Sequence, residues 1–141
     1  MIFIFGCSLA TAQESTNHQQ IIDDTYQELL DSKRSFRLLC VSDQEDLTTG
    51  LFIGLNRDGK IGVSFREYSM SKNKFASLPN LFKDYDPYKE IDIMHHGDPP
   101  KRTELLSYRI NFVLSKEILA DVLNRYFDLK SADRKLYLMF P

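Results

Sequence analysis

The densest group of residues able to do chemistry is Glu90-Ile91-Asp92-Ile93-Met94-His95-His96-Gly97-Asp98. Imidazole and carboxylate together suit zinc or another divalent cation. On an extended segment Glu90 and Asp92 share a face, because side chains alternate with a period of two. His95, His96 and Asp98 follow just beyond. A small metal-dependent hydrolase would use this turn, with those three residues as its ligand candidates. The competing reading is a polar turn shaped by Gly97 and Pro99-Pro100.

The segment Ile93-Met94-His95-His96-Gly97 resembles the His-His-Gly turn of some metallo-β-lactamase-fold hydrolases, which would imply zinc hydrolysis. Those enzymes also carry an upstream His-x-His-x-Asp-His cluster, whereas the remaining histidine of this chain is His18. Other chemistries have less to stand on. Gly62-Val63-Ser64-Phe65-Arg66 lacks the second glycine of a nucleophile elbow and falls in a hairpin strand rather than at a strand-to-helix turn. There is no Walker loop, no Gly-x-Gly-x-x-Gly and no His-Glu-x-x-His. Glu45 with Asp46, or Asp84 with Asp86, has the composition of a glycosidase carboxylate pair, but each reads as a solvated loop. The expectation is a non-enzymatic protein with no catalytic residue, no bound metal and no cofactor.

Binding is the better-supported activity. Residues 68–104 hold four of the five prolines and interleave Tyr68, Phe75, Phe82, Tyr85 and Tyr88 with lysines. Tyrosine buries a large ring and keeps a polar tip, which suits contact surfaces. Tyr85 and Tyr88 are the binding candidates, and the segment is expected to be a long irregular excursion of the kind that carries function. A short helix near Leu78–Lys83 and a strand at Glu90–Met94 are predicted within it. The net charge of −2, without a basic excess, argues against nucleic acid as the partner.

The amino terminus suggests an address. Met1–Ala12 carries no charge and ends Ala10-Thr11-Ala12 before Gln13, the pattern of the latter part of a secretory signal peptide. No Lys or Arg precedes Lys33, so the expectation is a truncated leader over residues 1–12, with the initiating codon inside a longer one. Ile4-Phe5-Gly6-Cys7 also resembles a lipobox, and lipidation at Cys7 would place the protein on the outer membrane. Without lipidation the location is periplasmic or extracellular. The remaining alternative is a cytosolic chain with a buried first strand. The apolar run is too short to span a bilayer. Cleavage or lipidation each leaves Cys40, in the apolar run Phe36–Val41, as a lone core thiol.

Positioning these residues falls to a single domain over residues 13–141, whose size, 43% hydrophobic content and 27% charged content suit an ordinary globular core. Residues 13–20 read as a polar tether, with a capping box at Thr16-x-x-Gln19. A helix follows, with Ile21, Ile22, Tyr26, Leu29 and Leu30 on one stripe, ending near Asp31-Ser32. A strand near Phe36–Val41 and an acidic loop at Ser42–Thr49 come next. Leu51, Ile53 and Leu55 alternate, as do Ile61, Val63 and Phe65. A three-residue loop, Arg57-Asp58-Gly59, pairs Leu55 with Ile61 and Ile53 with Val63, and it places glycine where the chain must turn left-handed. This hairpin, Leu51–Ile61, resembles the first hairpin of TonB-type C-terminal domains, which are small α+β periplasmic modules; residues 68–104 depart from that pattern, and no family is assigned. Leu106–Leu114 reads as a long strand with one wet face. Ser115 caps a helix carrying Ile118, Leu119, Val122, Leu123, Tyr126 and Phe127, and Leu136, Leu138 and Phe140 suggest a closing strand.

The fold class expected is α+β: a mainly antiparallel sheet of five or six strands with two amphipathic helices packed on one face. The function expected is that of an exported bacterial envelope protein binding a protein partner through residues 68–104. An immunity-type inhibitor shares those features, and the metal-dependent hydrolase is the alternative of a different class.

Overall fold

The structure, a computed structural model, describes the backbone of residues 2–32, 37–130 and 134–141, and the side chains among them from residue 17 onward. Phe36 and the side chain of Cys7 lie outside the described residues, so the leader, cleavage and lipidation expectations are not addressed by it. Among the described residues three α-helices occur, α1 (Ile2–Asp31), α2 (Lys72–Leu81) and α3 (Lys116–Phe127). The strands are β1 (Leu39–Ser42), β2 (Leu51–Leu55), β3 (Ile61–Arg66), β4 (Tyr88–His96), β5 (Lys101–Phe112) and β6 (Tyr137–Met139). They form one sheet in the order β4-β5-β3-β2-β1-β6, with every neighbouring pair antiparallel. The mixed α+β class and the antiparallel sheet are as the alternation of the sequence predicts.

The β2–β3 hairpin has the expected register: Leu55 faces Ile61 and Ile53 faces Val63. Its loop is closed by the Asn56 N–H donating to the Lys60 carbonyl at 2.8 Å and the Gly59 N–H donating to the Asn56 carbonyl at 3.0 Å. Gly59 sits at φ +84°, the left-handed position of a type I turn that runs into a bulge. A Cβ there would meet nothing within 4 Å, so conformation rather than space demands glycine.

Register divides the side chains of the sheet into two sets. One set comprises Leu39, Val41, Leu51, Ile53, Ile61, Val63, Phe65, Ile110 and Phe112. All of these lie in one buried cluster with Ile22 and Leu29 of α1, Phe75 and Leu78 of α2, and Leu119, Val122, Leu123, Tyr126 and Phe127 of α3. The helix capped by Ser115 forms as predicted, with the Ser115 Oγ accepting from the Ile118 N–H at 3.3 Å. The closing strand forms too, pairing Leu138 with Val41.

Three expectations require correction. Residues 13–20 are not a tether: they lie inside α1, a single 30-residue helix. Nothing between Gln13 and Asp31 breaks a helix, since this stretch holds neither glycine nor proline. Gln19 and Gln20 donate to Asp23 at 2.9 Å and Asp24 at 2.8 Å, four residues on, so the Thr16-x-x-Gln19 pattern is interior rather than a cap. The stripe that α1 buries is Ile22, Thr25 and Leu29, continued by Ser32 just past its end, while Ile21 and Tyr26 are half-buried beside it. Residues 68–104 are not an irregular excursion. Ser71 caps α2 by accepting from the Lys74 N–H at 3.2 Å, which starts that helix six residues before Leu78, and Pro79 is held in its last turns. Beyond the Lys83–Tyr85 turn the segment forms β4 and the start of β5. That pairing begins at Tyr88 and runs past Glu90–Met94 to His96. β5 starts at Lys101, and its residues 101–106 are paired with β4, whereas β3 pairs only Ser107–Phe112.

Cys40 is buried, as expected, beneath the loop from Ser42 to Gly50. A Cβ on Gly50 would come within 2.3 Å of its Sγ, so this glycine lets the loop close over the thiol. Burial pushes the thiol up to about 11, from an ordinary 9.0. The fold therefore favours the protonated form. This contribution to stability is intact below pH 9 and is lost as the pH rises towards 11.

Two outcomes follow for the scaffold. Gly59→Val should lower stability by about 1–2 kcal/mol or more, and Gly59→Asn by less, because asparagine tolerates the left-handed region; urea titration of both variants measures this. Alkylation of the native chain at about pH 8 should leave Cys40 unmodified, with full reaction only after unfolding, as peptide mapping would read out.

Candidate functional site

The β4–β5 hairpin carries the residues singled out for metal chemistry, and its geometry separates them. His95 and His96 are successive strand residues and point to opposite faces. Their cross-strand partners are Arg102 and Lys101, cations that oppose a bound metal ion. His96 Nε2 lies 2.7 Å from Thr103 Oγ1, and Asp98 belongs to the connecting turn with Gly97 at φ +85°. Glu90 and Asp92 share a face, as predicted, but Glu90 is held by Arg109 at 2.9 Å. Among the described residues no group of three or more His, Cys, Asp or Glu side chains is placed to hold a metal ion.

The two tyrosine candidates part company as well. Tyr85 is a half-buried tie rather than an open contact residue. Its hydroxyl donates to Asp121 Oδ2 at 2.6 Å, and its ring packs against Phe82 and Phe112. Arg125 lies 5.0 Å from the ring centre. The same guanidinium binds Asp84 through two nitrogens, at 2.6 and 2.9 Å, and meets Asp121 at 3.0 Å. Burial, followed by the Asp121 hydrogen bond, pushes the Tyr85 hydroxyl up to about 12. Arg125 holds the Asp84 carboxyl below its ordinary value. The residues tied together come from the Lys83–Tyr85 turn and α3, so this constellation anchors the entry to β4.

Tyr88, three residues on, stands in the open. It faces Arg109 across the β4–β5 pairing, in the set of side chains opposite to Tyr108 and Phe112. Its hydroxyl accepts from Asn111 Nδ2 at 3.2 Å, and Asn111 Oδ1 accepts from Asn56 Nδ2 at 2.7 Å. Gly62 runs beneath these two asparagines, where a Cβ would come within 2.8 Å of Asn56 Oδ1. Alongside, Arg66 donates to the Tyr68 hydroxyl at 2.9 Å and lays its guanidinium 3.9 Å above the Phe52 ring. The result is a polar and aromatic surface built on Phe52, Arg66, Tyr88, Arg109 and Asn111. Of these only Tyr88 was legible as a binding candidate. The available signal for the rest was the alternation of β3, in which Gly62, Ser64 and Arg66 interleave with the large apolar Ile61, Val63 and Phe65.

The β4 strand extends this surface outward. It is exposed along nearly its whole length, and Tyr88, Ile91, Ile93 and Met94 have 46%, 53%, 48% and 49% of their surface open to solvent. β4 ends the sheet, so the backbone groups on its outer side have no strand partner among the described residues.

Concavities also lie elsewhere among the described residues. A groove of about 740 Å³ runs between α1 and β6, lined by residues including Ile21, Asp24, Glu28, Leu138 and Phe140. Its Glu28 meets Arg37 at 3.6 Å, and Arg37 covers the Phe140 ring at 4.2 Å. A smaller cavity of about 320 Å³ at the start of α2 includes Lys74, Asp43 and Arg134. Lys74 donates to the Tyr126 carbonyl at 2.8 Å, and Arg134 pairs with Asp43 at 3.2 Å, so these charges are satisfied within the fold. Burial holds the Lys74 ammonium below its ordinary value. No helix among the described residues is long and apolar enough to cross a membrane.

No protein-family model, curated protein or solved structure matches this chain.

Tyr85→Phe should lower stability by about 1 kcal/mol through loss of one hydrogen bond, while Asp121 keeps its contact with Arg125. Thermal unfolding beside Tyr88→Phe, which should shift far less because its hydroxyl is exposed, separates the anchor from the open surface.

Proposed function

We propose that this chain is a non-enzymatic protein-binding module of the bacterial cell envelope. Its contact surface is the sheet face bearing Tyr88, Arg66, Arg109 and Asn111, continued by the β4–β5 hairpin. The helices pack on the opposite face, a reading supported by the buried cluster, which unites helix side chains with only one of the two alternating sets of β1, β2, β3 and β5. The observation that carries the proposal is β4: a nine-residue strand, exposed on both sides and open at its edge, that brings Ile91, Ile93 and Met94 into solvent. Edges of this length are usually shortened, covered or bent away, because they template pairing with another chain. Arginine and tyrosine beside them match the composition of protein interfaces. The partner is a protein rather than a nucleic acid, in keeping with the overall negative charge.

Export rests on the uncharged Met1–Ala12 stretch and its Ala-x-Ala ending before Gln13. Membrane attachment enters only if Cys7 is lipidated. An immunity-type inhibitor would use the same surface on its cognate toxin.

Affinity capture from an envelope extract tests the reading with a tagged chain. Wild type and Tyr85→Phe should recover the same partner, whereas Tyr88→Ala and Ile91→Lys should lose most of it. Equal recovery by all four chains would remove the β4–β5 surface from consideration.

A further inference from the structure

The outer edge of β4 has a charge pattern that suits its own inverse. Along the strand, Tyr88, Glu90, Asp92, Met94 and His96 alternate with Lys89, Ile91, Ile93 and His95. When two such strands meet antiparallel about a two-fold axis normal to the sheet, residues of like parity oppose one another, and the residue on the axis meets its own copy. Centring on Asp92 sets two carboxylates face to face. Centring on Ile91 opposes Glu90 and Asp92 twice. Like charges directly opposite destabilise a strand pair. Centring on Ile93 avoids both conflicts: Ile93 meets Ile93, Glu90 meets His96, Asp92 meets Met94 and Ile91 meets His95. It is the longest overlap that places no like charges opposite, spanning residues 90–96 of both strands. Glu90 keeps Arg109 on its own chain, so the pairing breaks no existing ion pair.

We infer that β4 pairs antiparallel with β4 of a second copy of this chain, with both Ile93 residues on the two-fold axis. The two sheets then run on as one, the exposed edge disappears, and the half-exposed Ile91 and Ile93 side chains gain apolar or imidazole neighbours. The charged residues that would deter an unrelated strand are those that fix this register. The inference rests on the reading of the β4–β5 hairpin as a contact surface and names the partner of its edge.

Sedimentation equilibrium of the purified full chain, without extract, tests it. Wild type should dimerise with rising concentration, and Ile93→Lys should weaken the dimer by at least roughly tenfold, since it sets two ammonium groups on the axis. Circular dichroism of Ile93→Lys confirms that this exposed substitution leaves the fold intact. Under mild oxidation Ile93→Cys should give a disulfide-linked dimer above the wild-type background set by Cys7 and Cys40. Asp92→Cys should not, because its two copies would sit diagonally at about 7–8 Å, beyond disulfide reach. A chain that stays monomeric, a dimer indifferent to Ile93→Lys, or cross-linking through Asp92→Cys in place of Ile93→Cys would each overturn the inference. A monomeric chain that still captures a partner from extract would leave the proposed function standing and remove only the self-pairing.

Discussion

Burial of the Phe65 ring is the contact through which the rest of the molecule is joined. Phe65 lies in β3, the strand that links the β2 side of the sheet to β5. Its ring centre is 4.9 Å from Phe82, just beyond α2, and 5.5 Å from Tyr126 in α3. Tyr126 meets Phe127 at 4.9 Å, and Phe82 meets Tyr85, which reaches Phe112 of β5. One side chain thus ties the centre of the sheet to α3, to the residue that closes α2 and, through Tyr85, to the turn that launches β4. Losing a ring of this kind from a packed core costs about 3–5 kcal/mol, a large share of the stability of a domain this size. The polar ties are arranged around this cluster: Arg125 to Asp84 and Asp121, and Lys116 of α3 to Asp23 of α1 at 3.1 Å. They orient elements that apolar burial has already brought together.

β3 also explains why the two faces of the sheet differ. Its odd positions are Ile61, Val63 and Phe65, all buried in the cluster. Its even positions are Gly62, Ser64 and Arg66. The small pair leaves room for long neighbours to lie flat: asparagines over Gly62, and the Arg66 guanidinium over Phe52. One strand therefore dictates a dry side and a polar, aromatic side.

Local rules were legible wherever one or two residues decide the outcome. Gly59 and the alternation around it define the hairpin and its register. Ser115 starts α3, and the buried positions of that helix repeat at helical spacing. The misreadings share a cause, which is that polarity was taken for irregularity. Gln13–Gln20 is polar and yet helical, because glutamine and glutamate propagate a helix and Gln19 and Gln20 bond to aspartates four residues on. Residues 68–104 are rich in proline, but Pro79 sits in the last turns of α2, where it forgoes one helical hydrogen bond without ending the helix, and Pro99-Pro100 occupy the β4–β5 turn outside the strand pairing. Tyr85 read as a contact residue because its type suits interfaces. Its partner Asp121 lies 36 residues away, and only tertiary structure joins the two. Likewise, the surface formed by Phe52, Arg66, Arg109 and Asn111 draws on three strands, and no local spacing announces it.

The unequal pairing of β5 has a mechanical consequence. Its residues Ser107–Arg109 are clamped between β3 and β4, while residues 101–106 have β4 as their sole strand neighbour among the described residues, so the far part of the hairpin is a cantilever rooted in the sheet. Two-stranded ribbons in water have little stability of their own. The free energy needed to open backbone bonds should therefore fall steadily from Arg109 towards Gly97, while the root stays as firm as the core. Bending or re-twisting of that far end would leave the packing around Phe65 undisturbed.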